Sequence, residues 1–273
     1  PESRLSATGG LFPTDHRTLN PLPDNANMQP PHPVPAGREQ RVCTRCVMDT
    51  ADPDIAFDGN GVCLYCHEYA ERARTELLNP RQRETRLNLL LEKICRDGKR
   101  AEFDCIIGVS GGVDSSYVAY LCAKWGLRPL PVHLDNGWDS ELAVDNIHRL
   151  MKRFGFDLYT HVVDWEEFRD VQLAYLKASV VDIEVVTDHA ITALLFRMAA
   201  RHGIRHILSG SNFVTEALMP PSWSYHKNDL INLRAIHRTF GTRSLRTYPT
   251  LGLGGMYWHM ARHGVRIHRI LDL

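Results

Sequence analysis

From residue 81 onward the apolar positions alternate between short unbroken runs and helical spacing. Within 81–96, Leu87, Leu90, Leu91 and Ile94 recur at helical intervals, which predicts a helix with one apolar stripe packed on the next domain. Phe103–Val109 is a short apolar run of strand length, and the helical pattern over Val113–Trp125 stops at Gly126. Arg128–Leu134 and Asp157–Val163 read as strands, Ser140–Phe154 and Trp165–Lys177 as helices. His189–His202 is again helical, and Arg205–Leu208 is the strand after it. Strands alternating with helices of this length predict an α/β fold with a parallel sheet flanked by helices. Ligands of such a sheet sit at the carboxyl ends of its strands. No internal repeat is visible.

The N-terminal part lacks these rhythms. The first 40 residues hold 8 of the 15 prolines and no apolar periodicity, so 1–40 is expected to be a disordered, Pro-rich tail. The chain begins at Pro1 without Met, and the expectation is a fragment or processed product. Residues 41–69 carry four cysteines among Asp and Gly, with few residues able to form a core. Something other than apolar burial must hold this module. Residues 70–100 are read as a helical connector to the sheet domain, 101–273.

Composition narrows the function classes. With 44% hydrophobic and 23% charged residues, 273 positions are ample for a real core, and neither a disordered nor a collagenous chain fits. The 32 Lys and Arg balance the 32 Asp and Glu, so no global attraction to nucleic acid or anionic membrane is expected. No apolar run approaches the roughly 18 residues of a membrane span, and no signal-peptide layout is present, which makes the cytoplasm the expected compartment. Charge is nonetheless uneven: residues 161–188 hold seven acidic and two basic side chains, whereas 234–273 hold seven arginines and one aspartate. The basic end can face a nucleotide sugar, a partner or RNA, or be a solvated surface.

Cys43-Thr-Arg-Cys46 and Cys63-Leu-Tyr-Cys66 are two Cys-x2-Cys knuckles at the spacing of a four-thiolate zinc site. Four thiolates close a tetrahedron and leave no open position for substrate, so the role is structural. An iron–sulfur cluster uses the same ligands, and disulfides or free thiols are the remaining alternatives. Cys95, Cys105 and Cys122 lie in apolar surroundings and are expected in the core.

Between the first strand and its helix lies Ser110-Gly111-Gly112-Val113-Asp114-Ser115-Ser116. A glycine-rich turn opening a helix converges unpaired backbone N–H groups on an anion, and phosphate is the obvious guest. Ser110, Ser115 and Ser116 add hydroxyl donors, and Asp114 can hold a Mg²⁺ that accompanies nucleotide phosphates. No Gly-Lys-[Ser/Thr] ending is present, which excludes a P-loop, and Gly252-Leu-Gly254-Gly255 lacks the final glycine of the dinucleotide fingerprint.

This heptad, together with Val132-His133-Leu134-Asp135-Asn136-Gly137-Trp138, resembles the PP-loop ATP pyrophosphatase superfamily. Adding the two knuckles, Asp182-Ile-Glu184-Val-Val-Thr187-Asp188-His189-Ala190, and Ser211-Asn212 running to Met219-Pro-Pro-Ser-Trp223, the pattern over 41–273 resembles the N-acetyl sugar amidotransferases of lipopolysaccharide biosynthesis. The resemblance implies an adenine nucleotide alpha hydrolase-like fold in which Ser110–Ser116 binds the pyrophosphate portion of ATP. It further implies ATP, Mg²⁺ and Zn²⁺ as cofactors, and catalytic roles for Ser110, Asp114 and Asp188. The implied substrate is an acetamido sugar, expected to be nucleotide-activated, which is adenylated on its amide oxygen and converted by ammonia to an acetamidino sugar. The implied partners are a glutaminase and a cyclase-like subunit supplying that ammonia; no membrane or nucleic acid partner is expected. Relatives usually continue into a segment with a Gly-Gly-Lys-His motif that is absent here, so the expectation is a C-terminally incomplete domain.

Other residues stay open between roles. Asp135 can meet ribose or adenine, or serve as a turn residue. Asp188 can bind substrate or cap its helix, and His189 is weaker still. Ser209-Gly210-Ser211-Asn212 leaves a strand where a site is expected, and Glu216 can reach substrate or face solvent. Two further functions remain: tRNA thiolation, used by other PP-loop enzymes, and a non-catalytic ATP- or zinc-binding scaffold.

Overall fold

A computed structural model describes residues 39–216, 219–220 and 223–273. Of the expected tail, only residues 39 and 40 fall among them, and the Met219–Trp223 stretch includes residues 221–222, which lie outside. Five parallel strands form one sheet: β1 (Cys105–Gly108), β2 (Pro129–Asp135), β3 (Tyr159–Val162), β4 (His206–Ser209) and β5 (Arg266–Arg269), in the order β3-β2-β1-β4-β5. From β1 the chain winds outward to β2 and β3, then returns to place β4 on the other side of β1. The reversal lies between β1 and β4, where a parallel sheet opens a crevice at its carboxyl edge.

Side chains alternate across the sheet and build two cores. Ile106, Leu130, Val132, Leu134 and Ile207 face one way, toward α5 (Trp165–Lys177), α6 (Val185–His202), α8 (Leu230–Phe240) and α9 (Leu253–His263). Cys105, Ile107 and Leu208 face the other, toward α2 (Pro80–Gly98), α3 (Val113–Lys124) and α4 (Glu141–Phe154). The leucine stripe of 81–96 packs there as expected, with Ile94 fully buried. Cys95 corrects an expectation: it is exposed, because one residue past Ile94 a helix has turned about 100° away from the core. Cys105 and Cys122 are buried.

Local signals set the helix ends. Asn79 and Gln82 form a reciprocal capping box at the start of α2, Ser140 caps α4, and Asp164 accepts from the backbone of Glu166 and Glu167 at the start of α5. β2 carries Pro129 and Pro131 inside a central strand, but β3 pairs only with Val132–Asp135, so the prolines occupy the part of β2 with a single neighbour. The helical connector expected over 70–100 takes in the second half of α1 (Leu64–Glu76), whose first half follows the second knuckle; the rhythm of the sequence missed the short α7 (Phe213–Glu216), α8, α9 and β5.

The opposed charge blocks meet each other. Glu167 accepts from the backbone N–H groups of Arg246, Thr247 and Tyr248, and Asp170 from those of Thr242 and Arg243, from the Thr242 hydroxyl and from His237 Nε2. Burial pushes Asp170 up, but these donors outweigh it and hold the carboxyl well below its ordinary range. Two acids one helical turn apart on α5 thus clamp the strap 242–248 to the domain.

Candidate nucleotide site and cysteine centre

The loop after β1 is shaped by Gly111, whose φ of +74° belongs to the left-handed region. A Cβ there would also clash with the carbonyl oxygen of Ala143 in the first turn of α4. Asn146 of α4 donates to the Gly111 carbonyl at 3.3 Å, fixing the loop from below. Gly112 is the N-cap of α3 and offers no side chain to its first turn, so the helix presents open N–H groups. Ser115 and Ser116 donate to the Gly112 carbonyl at 3.2 and 2.7 Å, and the Ser110 and Ser115 hydroxyls lie 3.2 Å apart. Val113 is exposed. Asp114 is exposed, and its carboxylate has no hydrogen bond or ion pair among the described residues. Gly210 packs beside it, with a notional Cβ only 3.2 Å from the Asp114 backbone.

A cavity of about 610 Å³ opens between the ends of β1, β2 and β4 and the first turns of α6. Ser110, Ser209, Gly210 and Ser211 line it. So does Asp188, which is not the cap of α6: the helix begins at Val185, placing Asp188 in its first turn. Lys227, which sequence reasoning missed, ties Asp188 (3.2 Å) to Asp182 (2.7 Å). Burial alone would lower its ammonium, but the two carboxylates raise it above its ordinary value, so it is charged. His133, Asn136 and Asp139 also line the cavity. Two acceptors there, Asp139 Oδ2 and Asn228 Oδ1, are buried with no hydrogen-bond partner among the described residues; His133 Nε2 is 3.4 Å from the former without bonding geometry. Orphaned acceptors in a roomy cavity fit a ligand rich in donors, such as an adenine amino group or sugar hydroxyls.

Other candidates have structural tasks. Asp135 accepts from the Gly137 N–H at 3.0 Å in a tight turn and is not part of the cavity lining. His189 is fully buried, its Nδ1 on the Lys227 carbonyl at 2.9 Å and its Nε2 accepting from the Leu251 N–H at 3.1 Å. Burial lowers the pKa of that imidazole, so it is neutral, with both nitrogens committed. Glu216 is exposed on α7 and is not part of the cavity lining. Asn212 caps that helix by accepting from Thr215.

The two knuckles converge. All four sulfurs lie within 4.8 Å of one another, with Cys43 3.9 Å from Cys66 and Cys46 3.6 Å from Cys63. A zinc tetrahedron with Zn–S bonds of about 2.3 Å has S···S edges of about 3.8 Å, so the group fits zinc. Burial opposes ionisation of Cys43, but N–H groups of Arg45, Cys63 and Cys46 bring its thiol down to about 6. Burial and neighbouring sulfurs push Cys63 and Cys66 up. Four crowded thiols ionise together only with a cation among them. The second knuckle runs directly into α1, where Tyr69 stacks on Phe213 at 5.3 Å and Glu76 lies 3.7 Å from Arg269, a cavity residue. Among the described residues no helix is long and apolar enough to cross a membrane.

Residues 86–211 match the asparagine synthase family, just under half of the chain. The match covers β1 to β4 and the loop, and it supports the PP-loop superfamily for a sheet domain whose fold is PP-loop-like. No curated protein matches the chain significantly. Among solved structures, NMN synthetase from Francisella tularensis is similar at 20% identity, over 50% of this chain and 56% of that chain, with a TM-score of 0.37. An NH3-dependent NAD synthetase from Campylobacter jejuni aligns at 15% identity over 57% of this chain and 72% of its own, with a TM-score of 0.38. A glutamine-dependent NAD+ synthetase from Acinetobacter baumannii aligns at 19% identity over 45% and 24%, also at 0.38.

Proposed function

We propose that the protein is an AMP- and pyrophosphate-forming N-acetyl sugar amidotransferase serving lipopolysaccharide O-antigen biosynthesis in the cytoplasm. The acetamido oxygen of a nucleotide-activated sugar attacks the α-phosphate of ATP, pyrophosphate leaves, and the product is an O-adenylyl imidate. Ammonia then adds to the imidate carbon and AMP departs with the former amide oxygen, leaving an acetamidino group. Adenylation is needed because the amide oxygen is otherwise a poor leaving group. The loop N–H groups and the Ser110 hydroxyl stabilise charge growing on the departing pyrophosphate, where Asp114 would hold Mg²⁺, an ion that supplies further charge neutralisation. Asp188, held by Lys227, faces the acceptor. A glutaminase with a cyclase-like subunit delivers the ammonia, since little of it is free at neutral pH.

The observation carrying this reading is the uncapped start of α3, opening beside a cavity whose other wall is the Asp188–Lys227 pair. The asparagine synthase match supports the ATP-cleaving half of it. Against tRNA thiolation, no cysteine lines the cavity among the described residues: Cys105 and Cys122 are buried in the opposite core, and Cys95 is on the outside of α2. The test incubates the protein with ATP, Mg²⁺, ammonium and a panel of nucleotide-activated diacetamido sugars, and separately with tRNA. AMP, pyrophosphate and the small mass decrease of oxygen-to-NH exchange on one sugar are expected. ADP formation, or thiolated tRNA with unchanged sugars, would overturn the reading.

A further inference from the structure

On the flank of the sheet, sharing no lining residue with the cavity at the strand ends, lies a second concavity of about 820 Å³. Its walls come from α6, α8 and the strap after α8, and they contribute Arg197, Arg234, Arg238, Arg243 and Arg246. No carboxylate among the described residues lines it. Only Arg243 has an acidic partner, the exposed Glu166 at 2.7 Å; among the described residues the guanidinium groups of the other four have none.

The acids that might have neutralised this groove are engaged elsewhere. Glu167 takes the backbone N–H of Arg246, and Asp170 that of Arg243, so each holds the strap by its main chain; the Arg246 guanidinium has no acidic partner among the described residues, whereas that of Arg243 meets Glu166. Arg234 and Arg238 stand one turn apart on the same face of α8, and like charges at that spacing repel. With Glu167 and Asp170 engaged by the strap backbone and by the Thr242 and His237 side chains, the four guanidiniums that have no acidic partner among the described residues leave the concavity suited to an external anion. Arginine selects planar oxyanions, because its fork places two parallel N–H donors on one phosphate.

We propose that this groove binds a compact diphosphate, free or carried by a nucleotide. The concavity suits a small ligand, since pockets for such molecules span roughly 300–1,000 Å³. Tyr248 is buried with its hydroxyl donated to the Val186 carbonyl, and His237 is committed to Asp170, so of the rings in the lining only the half-buried His161 is left for a base to stack on, fewer than a single-stranded RNA site uses. The Ser244 hydroxyl adds a neutral donor.

The test is arginine modification by phenylglyoxal, read residue by residue by mass spectrometry on the whole chain with its metal. Inorganic pyrophosphate is expected to slow modification of Arg234 and Arg238 by about tenfold, the effect of roughly 1.4 kcal/mol, while Arg262 outside the groove is unaffected. UDP acting at lower concentration than pyrophosphate would support a nucleotide-borne diphosphate, and equal action a free one. Replacing both arginines, R234A with R238A, should abolish protection at Arg197 and Arg246. D114N should leave protection intact, which separates this site from the ATP loop and lets either proposal fail alone. Equal protection by chloride at matched ionic strength, protection by an oligouridylate at lower concentration than by pyrophosphate, or none by any anion would overturn the proposal.

Discussion

The cysteine module clusters four buried side chains, Cys43, Ile55, Cys63 and Tyr65, two of which themselves belong to the four-sulfur group. The sheet domain buries apolar side chains on both faces of five strands, including Phe168, Phe196 and Tyr175 with almost no exposed surface. One region can be ordered by four bonds to a cation, the other by area removed from water. The contrast teaches that loss of a cation and loss of packing would strike different regions first, a difference that experiment can separate.

The largest expected effect is on the module. Stripping zinc with a chelator, or Cys63→Ser, should collapse amide protection over residues 41–69, because structural zinc contributes roughly 10–16 kcal/mol of folding energy in small sites. Hydrogen exchange by mass spectrometry checks it, and equal loss in α6 would contradict the separation. Zinc content measured on the purified protein should be one per chain; a brown, iron-containing product would replace zinc by a cluster.

Phe168→Ala strikes the other region. Removing a fully buried ring should cost about 3–5 kcal/mol, visible as a lower melting temperature with zinc content unchanged. Gly111→Ala is smaller in stability, about 1–3 kcal/mol from left-handed strain and the clash with Ala143, but it should abolish detectable ATP binding by calorimetry. A variant that melts lower yet binds ATP normally would remove the loop from the nucleotide site.

The smallest effect is a pH dependence. The folded pKa of Asp170 lies below its unfolded value, so its contribution is complete above about pH 4 and disappears as pH falls through the depressed folded pKa. Asp170→Asn should therefore be less stable than the parent at neutral pH and lose less stability on acidification, as followed by urea titration across that range. Parallel curves for the two proteins would show that the carboxylate charge does not hold the strap.

Legibility in the sequence tracked the strength of the local pattern. β1, β2, α3, α4 and α5 could be placed because their apolar positions are buried on a regular period; the bounds of α5 agree to the residue. β5 could not, since the edge strand Arg266-Ile-His-Arg269 leaves Arg266, Ile267 and Arg269 exposed and shows no inward alternation. α8 was hidden by its charge: Leu230, Leu233, Ile236 and Phe240 do recur helically, but the arginines between them read as a basic surface. The extent of α6 was misjudged by one turn; its start at Val185 removes the capping alternative left open for Asp188 and leaves it in the cavity lining. The cysteine spacing alone brought the four sulfurs together on paper as they are in space. Lys227 left no signal, because what distinguishes it is two carboxylates about forty residues earlier in the chain. A lone lysine in a loop has no period and no motif.

Gly111 rests against the backbone of Ala143, and Asn146 grips its carbonyl, so the loop proposed above as an anion cradle is braced by the first turns of α4 instead of hanging free between strand and helix. A mobile loop would lose conformational entropy each time a phosphate arrived. Here that loss is taken once, when the sheet folds, and the N–H groups are preorganised before any ligand is present. The design has a corollary for rate as well as affinity: a cradle that need not rearrange can receive and release its guest without waiting on the protein.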